Sequence, residues 1–447
     1  MGVGVTRLRA IAGQLALDTR ARVSWGLYDW AISAFSTTIL GAVFPVYYVN
    51  VAGATLPGNR ASVIYGYTLA LGFVIIALLS PVLGAAADYS GAVKRSLVGF
   101  VGVGVLGTGG LFLVERGDWL LASALMVPAM IGFSGSWMFY NSLLPHLADD
   151  DEIDALSAGG WALGFVGGGL LLGLNAAWIA FPGAFGLGST EMASRVSMLS
   201  VAVWWGLFTL PLIRYVPEPE PEGGTDAPMG VRESVRAGFG RLRTTLGALD
   251  RYRELGVFLL AFWLYHDGLN SLLTLAGAFG AEIGLGETSI IGAILMVQFV
   301  AVPFTLGFGQ LPKYMSTRAA ITVGLVVCLG VTLGAYLVTT AWQYFVLAFL
   351  VATALGGIQS LSRSLYGTMI PPDRSSEFYA FYNVSAKFAS VLGPLLFATV
   401  GDITGSTRIA MVSLSVLFVT GLIVLWRVDV SAARELAQEP SAGVEDG

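Results

Sequence analysis

Five ionisable side chains lie inside stretches that are otherwise almost wholly apolar. Asp29 sits in the run VSWGLYDWAISAFSTTILGAVFPVYYV (23–49), and Asp267, with His266 before it, in the run from Leu255 to Gly280. Arg363 and Lys387 fall within two later apolar runs. A charge at lipid depth costs roughly 2.5–3.5 kcal/mol on insertion scales, and such residues persist by facing a partner or a watery path. The chemistry open to them is proton exchange and the binding of a charged or zwitterionic solute. The carboxylates also come as a pair of echoes: Tyr28-Asp29-Trp30 early in the chain is matched by Tyr265-His266-Asp267. His titrates near neutral pH when unperturbed, but neighbouring helix residues do not share a face, so His266 and Asp267 are not expected to form a dyad.

The elements that position these residues are membrane helices. Of 447 residues, 55% are hydrophobic and 12% charged, and mean hydropathy is +0.74. A soluble domain carries roughly 25% charged residues. Apolar runs long enough to cross a bilayer fall at about 23–49, 61–83, 96–114, 119–140, 156–179, 193–213, 255–280, 288–310, 319–339, 342–370, 378–400 and 409–426. The chain is thus expected to be an all-α membrane protein of twelve transmembrane helices in two pseudo-symmetric six-helix bundles. The divisions are a tail at 1–22, a first half at 23–214, a linker at 215–254, a second half at 255–427 and a tail at 428–447. The linker begins PEPEPEGG and continues as an amphipathic helix with Val231, Val235, Phe239, Leu242 and Leu246 on one face.

With the N-terminus inside, most of the 24 Lys and Arg are cytoplasmic, and four (Arg60, Arg116, Arg195 and Arg408) are outside. The positive-inside bias therefore predicts both termini in the cytoplasm. The expected location is the cell inner (plasma) membrane, as a multi-pass monomer. A net charge of −5 implies no nucleic-acid surface, and Cys328 is the sole cysteine. No Walker loop, Gly-x-Ser-x-Gly, His-Glu-x-x-His or Cys/His cluster occurs. No enzyme, cofactor or metal site is expected, and energy would come from a gradient.

The halves echo one another beyond the carboxylates. Asn141-Ser142-Leu143 parallels Arg363-Ser364-Leu365, and Gly164-Phe165-Val166-Gly167-Gly168 parallels Ala389-Ser390-Val391-Leu392-Gly393. Shared order and spacing support an internal duplication. Gly160, Gly164 and Gly168 recur every four residues, which suits a close helix seam or a sliding contact between halves. The acidic run from Asp149 to Asp154 matches no defined metal loop and suits a helix N-terminus.

After the second run comes Gly84-Ala85-Ala86-Ala87-Asp88-Tyr89-Ser90-Gly91-Ala92-Val93-Lys94-Arg95. This Gly-x3-Asp-x2-Gly-x2-Lys-Arg string resembles the cytoplasmic loop motif of the major facilitator superfamily. The resemblance implies a gate loop of Gly84, Asp88, Gly91, Lys94 and Arg95, with the aspartate capping a helix and pairing with basic residues of the other half. The counterpart Gly309-Gln310-Leu311-Pro312-Lys313 departs from the pattern. Tyr28-Asp29-Trp30-Ala31, Gly160-Trp161-Ala162-Leu163-Gly164, Tyr265-His266-Asp267-Gly268, Gly356-Gly357-Ile358-Gln359-Ser360 and Leu392-Gly393-Pro394 further resemble its vacuole-effluxer-like branch, also called UMF. Fungal members of that branch are linked to amino-acid efflux from the vacuole.

In the facilitator fold, spans one, four, seven and ten line the central cavity. At about 1.5 Å per residue, Asp29 lies roughly 9 Å and Arg363 roughly 12 Å from the inner side. The resemblance thus implies that Asp29 and Arg363 meet across the halves near the inner mouth. Asp267 and Lys387, about 18 and 14 Å deep, would pair within the second half. A buried carboxylate parted from its cation can accept a proton, which would link protonation to gating. Tyr28, Tyr140, Asn141, Tyr265, Asn270, Gln359, Tyr382 and Asn383 could hydrogen-bond a small solute. The function expected is a secondary transporter that moves a small polar solute, amino acids first, by alternating access with protons as coupling partner. The alternatives are lipid or drug efflux, or a non-transporting membrane sensor or scaffold.

Overall fold

The computed structural model describes residues 16–89, 93–148, 152–219, 240, 252–308, 311–370, 382 and 390–438. In chain order the first half contributes α1 (Arg20–Ala52), α2 (Arg60–Tyr89), α3 (Val93–Gly110), α4 (Trp119–Ser142), α5 (Ile153–Ala180) and α6 (Thr190–Tyr215). The second contributes α7 (Arg253–Glu282), α8 (Glu287–Phe308), α9 (Thr317–Ala335), α10 (Ala341–Gly367), α11 (Leu392–Thr404) and α12 (Thr407–Trp426), followed by the short α13 (Val430–Gln438). Among the described residues, ten helices are long and apolar enough to cross a membrane. The 30-residue α7 and the 13-residue α11 stand where the seventh and eleventh spans are expected. The amphipathic linker helix lies outside the described residues.

Several spans begin on a side-chain cap. Thr19, Ser189, Ser316 and Ser406 each accept a backbone N–H from the first turn of α1, α6, α9 and α12. Thr340 and Gln343 close a capping box on α10. Leu106, Leu120, Leu207, Leu337 and Trp342 are exposed, the outward apolar band that a bilayer covers.

Within each half, small residues let backbones touch. A β-carbon on Gly107 would lie 2.8 Å from Ala129 N, so α3 and α4 meet at their backbones. Gly160, Gly164, Gly167 and Gly168 of α5 all face α1, through Trp25, Asp29, Trp30 and Ser33 respectively. That glycine row is a packing seam inside the first half and not a sliding surface between halves.

Span one is not a uniform α-helix. Phe35–Ala42 and Tyr48–Ala52 are wound as π-helix, with Val43 N–H donating to Thr38 O, five residues back. Pro45 has no N–H to offer Gly41 O, which frees that carbonyl. Gly277 of α7 comes up against it: a β-carbon there would lie 3.0 Å from Gly41 O and from Pro45. π-helix is rare, appears mostly as single-turn bulges, and is frequent at functional sites.

Among the described residues, the hydrogen bonds that join the halves lie at one end, the outer end in the orientation expected from charge. Asn59 Nδ2 donates to Gly401 O at 2.8 Å, and Arg60 pairs with Asp402 at 2.5 Å. Ser62 Oγ donates to Glu282 at 2.6 Å, and Ser194 Oγ to Glu287 at 2.9 Å. Gly66 packs on Pro394 and Ala398 beside them. This state is closed at that end. We predict that Gly277→Leu, which forces Gly41 and Pro45 away at a cost of about 1–3 kcal/mol, opens it. A cysteine placed at the buried Val63 should then label several-fold faster with an impermeant maleimide, since the native Cys328 is buried. Unchanged labelling would show that the close approach does not hold this end shut.

Candidate functional site

Asp29 and Asp267 are held in the same way. Each sits on the first helix of its half and is almost wholly buried, at 2% and 0% exposure. Each accepts a hydrogen bond from the serine one turn on: Ser33 Oγ to Asp29 Oδ1 at 3.2 Å, and Ser271 Oγ to Asp267 Oδ1 at 3.3 Å. Each faces a glycine on the fifth helix of the same half. A β-carbon on Gly164 would lie 2.5 Å from Asp29 Oδ1, and one on Gly393 would overlap Ser271 Oγ and lie 2.9 Å from Asp267 Oδ1. The spaced pair Asp-x3-Ser was present in both halves of the sequence, and its two serines are site residues that sequence reasoning missed.

The second oxygen separates the two copies. Gly393 N–H donates to Asp267 Oδ2 at 2.8 Å. Gly393 is the second residue of α11, whose N-cap, Val391, makes no side-chain cap bond. Asp267 therefore caps α11 from a neighbouring helix, where the helix N-terminus favours negative charge. In the first half α5 runs unbroken through Gly164, so its amide is committed within the helix. Among the described residues Asp29 Oδ2 meets only Tyr140 OH, at 3.4 Å, long for an O–H···O bond. The ion pairs among the described residues do not include Asp29.

Aromatic rings surround Asp29. Trp25 stacks on Tyr140 at 4.5 Å and donates its Nε1–H to Tyr140 O. Tyr28 lies 4.9 Å from Tyr140, buried, and its hydroxyl has no hydrogen-bond partner among the described residues. In the second half Tyr265 OH and Ser362 Oγ are 2.6 Å apart. His266 stacks on Phe262 and lies 3.2 Å from Asn270 Nδ2, which donates to Ser390 Oγ. His266 and Asp267 thus turn to different partners, as adjacent helix positions require. Tyr382 lies tilted against Phe262, with ring centroids 4.5 Å apart.

Other expected residues are not gathered here. Arg363 is exposed on α10, and Asp29 is held inside its own half, so the two do not pair in this state. Asn141 and Gln359 are exposed. Lys387, Asn383 and Gly91 lie outside the described residues. Gly84 and Asp88 fall on the last turns of α2, and Arg95 is exposed. Lys94 N–H donates to Glu218 and its Nζ to Val216 O, both just past the end of α6. Glu152, from the acidic run, pairs with Arg22, and no group of metal-ligating side chains occurs among the described residues.

Between the halves, against the closed end, lies a cavity of about 230 Å³. Ser36, Thr37 and Gly41 from the π-wound part of α1 form one wall, and Gln298 and Tyr344 add polar groups opposite. The remaining lining, including Leu272, Phe279, Leu347 and Val351, is apolar.

Two helical halves closed at one end around a cavity, with carboxylates on the first helix of each, define a multi-pass membrane transporter of the major facilitator kind. Solved structures share the fold. A mutant form of the nucleoside transporter NupG superposes with a TM-score of 0.66 at 11% identity, covering 93% of this chain and 99% of that one. The xylose transporter XylE from E. coli, in a partially occluded inward-open conformation, does so with a TM-score of 0.62 at 15% identity, covering 92% and 99%.

The family is narrower than the fold. Residues 49–438 match the model of the vacuole effluxer Atg22-like family, and the chain belongs to it. A Bacillus subtilis relative, named as the uncharacterized MFS-type transporter YxiO, is 36% identical over 94% of this chain and 97% of its own. Autophagy-related protein 22 of Gibberella zeae is 22% identical over 85% of this chain and 70% of its own.

The two copies differ in what they hold up. Asp267→Ala is predicted to uncap α11 and to cost about 1–2 kcal/mol, read as a lower melting temperature. Gly393→Ala, with its overlap on Ser271, should cost about 1–3 kcal/mol. A melting temperature unmoved by either change would remove the capping role.

Proposed function

We propose that this chain is a proton-coupled carrier of a small polar solute, an amino acid or a metabolite of similar size and charge, working by alternating access. The observation that carries the reading is the inequality of the two carboxylates. Asp267 has a backbone amide and a serine to compensate its charge. Asp29 has two long hydroxyl contacts. A carboxylate taken out of water without a cation is a site for a proton. Closing of the inner ends would bring Arg363 toward Asp29 and displace that proton, and opening would restore it. Tyr140, bonded to Asp29, and Tyr28 give the proton polar neighbours. The gate loop from Gly84 to Arg95, and Lys387 beside Asp267, belong to the same reading.

The apolar walls of the cavity favour a second reading, efflux of a lipid or drug-like compound. A panel of amino acids, peptides, sugars, nucleosides and amphiphiles, scored by thermal shift on purified protein, separates the two. A sensor or scaffold would show no counterflow of any of them.

In liposomes, Asp29→Asn is expected to keep counterflow of the solute but lose the response of uptake to a pH gradient. Asp267→Asn, which keeps an acceptor for Gly393, should retain that response. An Asp29→Asn protein whose uptake follows the gradient as the parent does would exclude Asp29 as the coupling group.

A further inference from the structure

Trp137 of α4 and Trp161 of α5 meet edge to face, with ring centroids 5.8 Å apart. Their helices are separated by α1. α5 packs on one flank of α1 through Gly160 and Gly164, and α4 stacks Tyr140 on Trp25 from the other flank. The back of α1 is covered by α6, where Trp204 stacks on Trp30 and Trp205 lies against Phe35. Trp161 is 52% exposed, so it is not in that covered layer. The two indoles therefore close across the front of α1, on the side facing the second half. Phe165 extends the wall one turn further, 6.1 Å from Trp161.

Asp29 lies directly behind this wall. Trp137 is 5.6 Å from Tyr140, whose hydroxyl donates to Asp29. The face of an indole carries negative charge density, and among aromatic rings it attracts cations best. A carboxylate attracts the same partner. Sugar and nucleoside hydroxyls would want donors and acceptors at the wall, and Trp137, Trp161 and Phe165 present mainly carbon.

We propose that the inner end of the first half is an ammonium-recognition site. The solute presents a primary or N-methylated ammonium group to Trp137 and Trp161, and Asp29 behind them supplies the counter-charge once the proton it holds has left. Amino acids and organic amines carry that group; sugars and nucleosides do not. The carrier reading is needed only for the ammonium to be cargo, and binding stands without it.

Two matched pairs of probes test the site by calorimetric titration of purified protein in detergent, with no gradient present: choline against its uncharged isostere neohexyl alcohol, and isopentylamine against isopentyl alcohol. The charged member of at least one pair should bind saturably, and neither alcohol should. Trp161→Leu and Trp137→Leu should each weaken that binding on the order of tenfold, Trp161→Phe less, with melting temperatures unchanged. Binding of amine and alcohol alike, no binding of either cation, or a cation affinity untouched by Trp161→Leu overturns the proposal. Cation binding without counterflow in liposomes sinks the carrier reading and leaves the site; counterflow of a neutral sugar without cation binding does the reverse.

Discussion

A carboxylate at lipid depth has to be held by something, and each half of this molecule holds one with three residues: the aspartate, a serine one helical turn on, and a glycine across the interface. The glycine is the constraint on which the rest depends. With a side chain at Gly164 or Gly393, the fifth helix of either half could not approach the first closely enough to shelter the charge. That closeness brings Trp25, Tyr28 and Tyr140 around Asp29, and Ser390 within reach of Asn270. The duplicated geometry then serves two ends. Where the opposing helix begins at the glycine, the carboxylate becomes its cap. Where the helix runs through, the carboxylate meets two long hydroxyl contacts among the described residues.

The contacts between halves are of another kind. They cluster at one end and mix short polar bonds with bare backbone approach. An exposed ion pair such as Arg60 with Asp402 contributes about 1 kcal/mol or less. The glycine contacts at Gly66 and Gly277 exclude water and fix distance, so they set the geometry that the polar bonds decorate. Both Glu282 and Glu287 take a hydroxyl from a serine of the opposite half, a bond that can be broken and remade as the halves separate.

Much of this was legible in the residues. Hydropathy located the ten long spans, because lipid demands unbroken apolar length, and the lone carboxylates marked the first helix of each half. The prediction that His266 and Asp267 act separately followed from helical phase. What depth counting could not supply was direction. Asp29 and Arg363 lie at similar depths, yet a helix can turn a side chain inward to its own bundle, and Asp29 does so because Gly164 leaves room there. Nor does periodicity reveal a π-wound segment, since Ser36, Thr37 and Gly41 read as ordinary helix until Pro45 is set against its neighbours. The meeting of Trp137 with Trp161 was not legible, because hydropathy and spacing do not show which rings of two helices come together across a third.

The π-wound stretch from Phe35 to Ala42 has one more consequence. Each such turn accommodates a residue that an α-helix of the same rise would not, so span one carries slack in its middle. Rewinding one whole turn of it as α-helix would shift the register by about one residue and swing everything beyond by roughly 100°. Phe44, packed on Tyr65 of α2, Tyr47, bonded to Val114 O beyond α3, and Tyr48, beside Ser123 of α4, would be carried round like teeth on a cam, while Asp29 below stayed where it is.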